Sequence, residues 1–489
     1  MDEGPALAHR VIVSLYRDSV ALMVTSAELQ AMDGVVSASA VMATAANRGV
    51  LAQSGLLPAD LDAAPDDLLI VVTAVDIPTA EMCLAFGVEL LAQEAVASEG
   101  IHRETRAATV DEGLEAFAGA NLVSVSVAGA FAPLIMKQAL LRDRHVFCFS
   151  DNVSIADEVA LKAMAIERGL LLMGPDCGTA LIDGTPLGFV NAVQSGPVGI
   201  VSASGTGAQE VMCQLDARGV GISQVIGVGG RDLSADVGGV MTHAALDLLA
   251  ADEATSCIVL IGKPPGAGVA DALYARLSGL GIPVVTCLIG DADRSTEGSV
   301  EMCATLDETA RRAAIACGGD GGGGQADLPL DVGAPSAAGI LGLFTGGTLA
   351  SEARHLLAGR HAPARILDLG DDEFTIGRPH PMIDPAHRSA AVRAAADDPW
   401  VGILLVDLVL GHGAMQDPAT PLAAAVTAAT AAAHSAGRQL TVVGSVCGTA
   451  QDPQGVEAQR RILADAGILL APSNAAAAAW AATLSEAVA

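Results

Sequence analysis

Residues 196–210 read Gly-Pro-Val-Gly-Ile-Val-Ser-Ala-Ser-Gly-Thr-Gly-Ala-Gln-Glu, a short apolar run that breaks into a Ser/Gly/Thr turn and then a helical pattern. Val198, Ile200 and Val201 suit a buried parallel strand. Ser204, Gly205, Thr206 and Gly207 let the backbone turn while leaving free N–H groups at the head of the next helix. Such a terminus attracts anions, although one Gly-Thr-Gly is equally a plain strand-to-helix connection. A second copy adds weight. Residues 339–352, Gly-Ile-Leu-Gly-Leu-Phe-Thr-Gly-Gly-Thr-Leu-Ala-Ser-Glu, repeat the grammar roughly 140 residues later, with Gly346, Gly347 and Thr348 in the turn. The pair points to one duplicated α/β unit and marks both turns as candidate anion or phosphate sites.

The chain has 489 residues, too many for one typical core. Hydrophobic residues make up 51% and aromatics only 2%, so the interior is built from Ala, Val, Leu and Ile, as in parallel sheets under Ala-rich helices. A multidomain α/β fold is expected. The formal charge of −30, from 56 acidic against 26 basic residues, repels phosphodiester backbones and anionic lipid. No nucleic-acid or membrane partner is expected, while a small anionic substrate can still be held by helix termini or single cations. Nine cysteines without C-x-x-C spacing, and an acidic start without a signal-like pattern, fit a cytoplasmic protein. Apolar runs such as 68–75 are strand-length, short of the roughly 18 residues of a membrane span.

Taken in order, residues 1–112 read as a small α/β sandwich with strands at 11–15, 35–42 and 68–74, and with Asp18 as a cap for the first helix. A second domain, 113–192, carries strands near 122–128, 146–149 and 170–173. Asn152 and the loop Asp176-Cys177-Gly178-Thr179 follow the C-terminal ends of its strands, where an open parallel sheet takes its ligands. Domain three, 193–317, holds the first Gly/Thr turn. Arg231 and Asp232 beside Gly229-Gly230 form a candidate anion clamp there, and Lys263 precedes Pro264-Pro265-Gly266. That lysine is either a point charge for a phosphate or carboxylate or an ordinary surface residue. A Gly-rich linker spans 318–334 and the last domain 335–489. In it Pro379 and Pro381 flank His380 and stiffen the backbone, holding Arg378 and His380 in near-fixed relation to orient a substrate and shuttle a proton. The histidines lack metal-ligand spacing, and no G-x-S-x-G, H-E-x-x-H or G-x-G-x-x-G motif is present, so neither a metal nor a nicotinamide cofactor is expected.

Asp18-Ser19-Val20, Phe149-Ser150-Asp151-Asn152-Val153, Met173 to Thr179, Ala203 to Gly207, Gly229 to Leu233, Lys263-Pro264-Pro265, Gly346 to Leu349 and Gly377 to Asp384 together resemble the FdrA family over nearly the whole chain. FdrA proteins are similar to succinyl-CoA synthetase: residues 113–317 resemble its α subunit and 335–489 its CoA-ligase domain. The resemblance implies a CoA-binding Rossmann-like domain followed by two flavodoxin-like succinyl-CoA synthetase-type domains, with phosphate or CoA as possible ligands. For one branch it implies a subunit of oxamate carbamoyltransferase, which converts oxalurate and phosphate to oxamate and carbamoyl phosphate. That branch implies a homo-oligomer or a hetero-complex with DUF1116-type and DUF2877-type proteins. Two departures accompany it. Ala267-Gly268-Val269-Ala270, after the Pro-Pro-Gly, holds no counterpart of the phosphate-carrying histidine of succinyl-CoA synthetase, and no ATP-grasp domain is read in the chain. Three expectations result: a carbamoyl- or acyl-transfer subunit using His380, Arg378 and Lys263; an acyl-CoA ligase subunit that needs an ATP-grasp partner; or a non-catalytic scaffold binding a small anion.

Overall fold

The computed structural model describes residues 6–488 except 14, 16, 18, 54–55, 59–60, 100–106, 292–298, 320, 323–326, 330–331 and 376–378. Asp18 and Arg378 therefore lie outside the described residues. The chain divides into a smaller unit within residues 1–107 and a larger one of 108–375 and 380–489. The first division thus falls before the boundary expected at 112.

The smaller unit runs β1 (Ala6–Ile12), α1 (Ser19–Gln30), β2 (Val35–Met42), α2 (Ala45–Gln53), β3 (Leu68–Ala74) and α3 (Ile77–Glu99). Its sheet has the order β1-β3-β2 with both pairings antiparallel. β1 starts earlier than the strand expected at 11–15. All seven residues of β3 are buried because it is central and covered on both faces, which is why it reads as an unbroken apolar run.

The larger unit opens with α4 (Val110–Ala116), β4 (Leu122–Val125), α5 (Ala132–Leu141), β5 (His145–Cys148), α6 (Ile155–Glu167) and β6 (Leu172–Met173). These form a three-stranded parallel Rossmann-like layer, β4-β5-β6. A hairpin follows, β7 (Thr179–Ile182) and β8 (Thr185–Gly188). Next come β9 (Ser195–Ser202), α7 (Gly205–Asp216), β10 (Ile222–Gly227), α8 (Val240–Ala251), β11 (Cys257–Gly262), α9 (Val269–Ser278), β12 (Val284–Leu288), β13 (Val300–Met302) and α10 (Leu306–Ala316). The last part is β14 (Gly339–Phe344), α11 (Gly347–Gly359), β15 (Ala364–Asp368), α12 (Asp372–Thr375), α13 (Ala386–Ala394), β16 (Val401–Val409), α14 (Ala419–Ser435), β17 (Thr441–Cys447), α15 (Val456–Asp465), β18 (Leu469–Ala471) and α16 (Asn474–Glu486).

Two parallel sheets share one topology. β10-β9-β11-β12-β13 and β15-β14-β16-β17-β18 both read 2-1-3-4-5 when each is numbered from its own first strand, the flavodoxin-like order. The fold is thus a multidomain α/β fold with a duplicated half. The β7-β8 hairpin pairs antiparallel onto β10, so residues 179–188 extend the first of these sheets rather than completing the Rossmann-like domain expected to reach 192. One hydrophobic cluster runs through both halves, from Val198 and Val211 to Ile340, Ala477 and Trp480.

Two networks of buried polar groups in this unit fix how its layers sit. Lys162 of α6 is fully buried, with Nζ donating to Glu158 Oε1 at 2.8 Å, Asp232 Oδ1 at 2.7 Å and the Val228 carbonyl at 3.0 Å. Asp232 Oδ2 in turn accepts from the N–H and hydroxyl of Thr242, in the first turn of α8. Arg231 bridges Glu158 at 2.8 Å and donates to the Val153 carbonyl at 2.8 Å. Arg231 and Asp232, expected to touch substrate, instead tie the Rossmann-like layer to the first flavodoxin-like half. Removing Lys162 leaves Asp232 buried without a counter-charge and Glu158 with Arg231 alone, so Lys162→Met is expected to cost about 3–5 kcal/mol in urea unfolding. A loss below about 1 kcal/mol would contradict this.

A second polar network joins the halves. Glu210 of α7 and Glu352 of α11 stand at matching places in the two Gly-Thr helices, and both are buried. Asn474, at the head of α16, donates its N–H to Glu210 Oε1 at 3.3 Å and its Nδ2 to Glu352 Oε2 at 2.7 Å, while the Leu306 N–H donates to Glu352 Oε1 at 2.7 Å. Burial pushes both carboxyls up, Glu352 to about 7. A carboxyl raised in the folded state binds more protons there than when unfolded, so its contribution falls as pH rises from 4.5 to about 7. Glu352→Gln removes this titration, so its stability relative to the parent is expected to rise by on the order of 3 kcal/mol between pH 4.5 and pH 8, on top of a pH-independent cost for the acceptor lost to Leu306 or Asn474. An equal change at both pH values in denaturant unfolding would contradict this.

Candidate active site

The two Gly/Thr turns meet. Each follows the first strand of its half, and the shared topology puts that strand's C-terminal end at the switch point of its sheet. Ser204 caps α7, its Oγ accepting from the Gly207 N–H at 3.0 Å. The same hydroxyl touches the Thr348 hydroxyl, and the Thr348 N–H donates to Thr206 Oγ1 at 3.4 Å. Among the described residues, no acceptor takes the N–H groups of Gly205, Thr206 or Gly347. Two helix N-termini, each worth roughly half a positive charge, thus converge with backbone donors to spare.

The second turn is held by Asp407, an acid buried within β16. It accepts from the Thr345 N–H at 2.9 Å, the Gly346 N–H at 2.8 Å and the Thr345 hydroxyl, and it pairs with buried Arg388 at 3.0 Å. Asp368, at the end of β15, lies against Gly347: a methyl group added at that glycine would sit 2.5 Å from Asp368 Oδ2. Burial, then the neighbouring charges of Asp407 and Asp371, push Asp368 up to about 6, against the Gly370 N–H that donates to its Oδ1 at 3.0 Å.

His380 belongs to this cluster. Its Nδ1 accepts from the Met382 N–H at 3.2 Å, which leaves the proton of the neutral ring on Nε2, the edge lying against Gly370. Burial lowers its pKa, so the ring is neutral at pH 7. The ring stands 6.2 Å from that of Phe189, which stands 5.7 Å from Phe149 at the end of β5. The Thr179 hydroxyl donates to the Phe189 carbonyl at 2.7 Å and borders Gly205 from the other side.

The rings lead toward the C-terminal ends of β4 and β5, the edge at which an open parallel sheet takes its ligands, where Val127, Phe131, Phe149 and Ile155 expose apolar side chains. Asn152 and Asp176 sit there on exposed left-handed backbone, at φ 52° and 57°. Cys177 is different: its buried thiol donates to the Thr179 carbonyl and is pushed up to about 12 by burial, so it is no nucleophile. Lys263 does not enter the paired turns. It is exposed and lines a neighbouring cavity that Thr348 also borders. Gly178 and Thr179 join the turns, Asn152 and Asp176 the crevice, and Arg231 and Asp232 the scaffold.

Sequence reasoning missed Asp368, Asp407 and Arg388. The legible signal was an acid breaking the otherwise apolar run 401–409, since a carboxylate inside a buried strand must have dedicated partners.

Residues 343–484 match the family model described as CoA-ligase, and residues 6–108 match one described as AllF, heavy metal-associated domain. The described residues of the smaller unit do not fit a metal ion: the thiol of Cys83 is buried and donates to the Leu29 carbonyl, and no three described His, Cys, Asp or Glu gather closely enough to hold one. No helix among the described residues is long and apolar enough to cross a membrane. Succinate–CoA ligase [ADP-forming] subunit alpha-2, mitochondrial, of Trichomonas vaginalis is 33% identical over 32% of this chain and 50% of its own length. Subunit alpha 2 of the same ligase from Archaeoglobus fulgidus is 33% identical over 31% and 52%, so this chain spans about half of each. Among solved structures, the dinucleotide-forming acetyl-coenzyme A synthetase 1 of Ca. Korarchaeum cryptofilum in complex with phosphate and ADP is 14% identical, covers 74% of this chain and 82% of its own, and has a TM-score of 0.33. YahF of Escherichia coli (strain K12) is 39% identical over 94% of this chain and 95% of its own length. The chain belongs to the YahF family and carries a CoA-ligase domain of the succinyl-CoA synthetase type.

Proposed function

We propose that this chain is the acyl-transfer subunit of a CoA ligase, exchanging an acyl group between phosphate and the thiol of CoA: acyl phosphate plus CoA gives the thioester and inorganic phosphate. The observation that carries the reading is the convergence of the Ser204–Gly207 and Gly346–Thr348 turns with three backbone N–H groups that have no acceptor among the described residues. Donors fixed in this way favour phosphate oxygens in the ground state and the oxygen that gains charge when the thiol attacks the carbonyl. The exposed apolar side chains beside Asn152 and Asp176, linked through Phe149 and Phe189 to His380, offer a surface for a long thiol-bearing arm. His380, neutral with its proton on Nε2 and its Nδ1 lone pair taken by the Met382 N–H, is the candidate N–H donor to the oxygen that gains charge, while the thiol proton ends on the departing phosphate; Asp368 is a carboxyl that is neutral below about pH 6 beside the oxyanion.

Forming the acyl phosphate from ATP is assigned to an ATP-grasp partner. The carbamoyl version, oxalurate plus phosphate giving oxamate and carbamoyl phosphate, would use the same oxyanion site and rests on motif resemblance alone.

Purified full-length protein is expected to bind CoA and to convert acetyl or succinyl phosphate and CoA to thioester, alone or with its ATP-grasp partner. Thr206→Glu, which places a carboxylate at the paired helix heads, is expected to lower that rate about 100-fold or more. No CoA binding and no thioester, with carbamoyl phosphate formed from oxalurate, would replace this reading by the carbamoyl one; loss of neither by Thr206→Glu would leave a scaffold. The rise of Asp368 also sets a pH dependence. Sulfate, whose charge is constant in this range, is expected to bind more tightly as pH falls from 7.5 to 5.5, and Asp368→Asn to bind at pH 7.5 about as the parent does at 5.5. A flat profile in the parent protein would remove Asp368 from the site.

A further inference from the structure

Beside the paired turns lies a cavity of about 420 Å³ between the loop after β11 and one face of α11. Thr348, Ser351 and His355 recur at i, i+3 and i+7 and so line it from one stripe of that helix, with Arg354 at its side. Lys263 closes the opposite wall from the end of β11, together with Pro264 and Ile289. Among the described residues no acidic side chain lines the cavity. Among the described residues neither Lys263, Arg354 nor His355 makes an ion pair, in a chain where 56 acidic residues face 26 basic ones. In so acidic a protein, three exposed basic side chains meeting at one cavity run against the mean field; Arg354 acts in part on the Asp368 carboxyl, and an anion in the cavity would balance the others. Arg354 is also partly fixed, donating to the Ile366 carbonyl at 3.1 Å.

We propose that Lys263, Arg354 and His355 form a second oxyanion subsite, which takes a phosphate or carboxylate group other than the one held at the paired turns. Thr348 belongs to both places, so the subsite extends the paired-turn reading and rests on it for its role in catalysis. A substrate or substrate pair held here presents two anionic groups, one at the helix heads and one in the basic cavity. In this subsite Lys263 acts as a point charge on the second anionic group rather than on the reacting atoms.

The test is the stoichiometry of inorganic phosphate on the full-length protein, by equilibrium dialysis at low ionic strength, where exposed cations are least screened. The parent is expected to bind two phosphates per chain, Arg354→Gln/His355→Gln one, and Thr206→Glu one. Lys263→Gln, at an exposed position, is expected to weaken the second phosphate at least five-fold and leave the first unchanged, which covers the case in which the double variant does not fold. Succinate displacing only the second phosphate marks a carboxylate as the natural occupant; failure of succinate to displace it marks a phosphate, and either result supports the subsite. One phosphate in the parent, lost in Thr206→Glu and kept in the other variants, overturns the subsite and leaves the proposed function standing. One phosphate lost in the basic-residue variants but kept in Thr206→Glu overturns the paired-turn site instead.

Discussion

Two helix N-termini brought head to head repel, and the rest of the larger unit is arranged to hold them there. The partial charges at the heads of α7 and α11 share a sign, so their contact through Ser204, Thr206 and Thr348 is favourable only with negative charge nearby. Asp407 and Asp368 supply part of it on the side of the second turn. The unused N–H groups leave a place for more, in the form of an anionic ligand. Packing bears the remaining cost: the helices are anchored by buried pairs too deep to rearrange, including Arg388 on Asp407 and the contacts of Asn474 with Glu210 and Glu352. Asn191 adds a third anchor, donating to the Leu410 carbonyl and to Asp452 across the halves.

Duplication explains why the heads meet. Each half has the 2-1-3-4-5 strand order, so each sends its first helix from the same edge of its sheet at the switch point. Packing the halves through the buried faces of α7 and α11 brings those two starts together. The matching buried glutamates are the same inheritance seen one and a half turns further along, and they make the seam between halves sensitive to pH.

Much of this was legible. The Gly/Thr turns announced themselves because a tight strand-to-helix connection needs glycine, and their repetition disclosed the duplication. The strands of the parallel sheets were legible as apolar runs. What could not be read was partnership across long separations. Nothing in the sequence around Lys162 shows its burial against Glu158 and Asp232, and Arg231-Asp232 looked like a clamp because a charged pair beside two glycines carries no mark of which side of the sheet it faces. The β7-β8 hairpin was assigned to the preceding domain for a similar reason: sequence proximity favoured it, and its hydrogen bonds to β10 did not show. Asp368 and His380 come together only through Gly370 and the fold of the second half.

The most direct measurement is a crystal structure with tungstate, a heavy tetrahedral oxyanion located by its anomalous signal. The account predicts a peak with oxygens about 3 Å from the N–H groups of Gly205, Thr206 and Gly347. Tungstate bound elsewhere, with the paired turns closed over one another through Ser204 and Thr348, would contradict it.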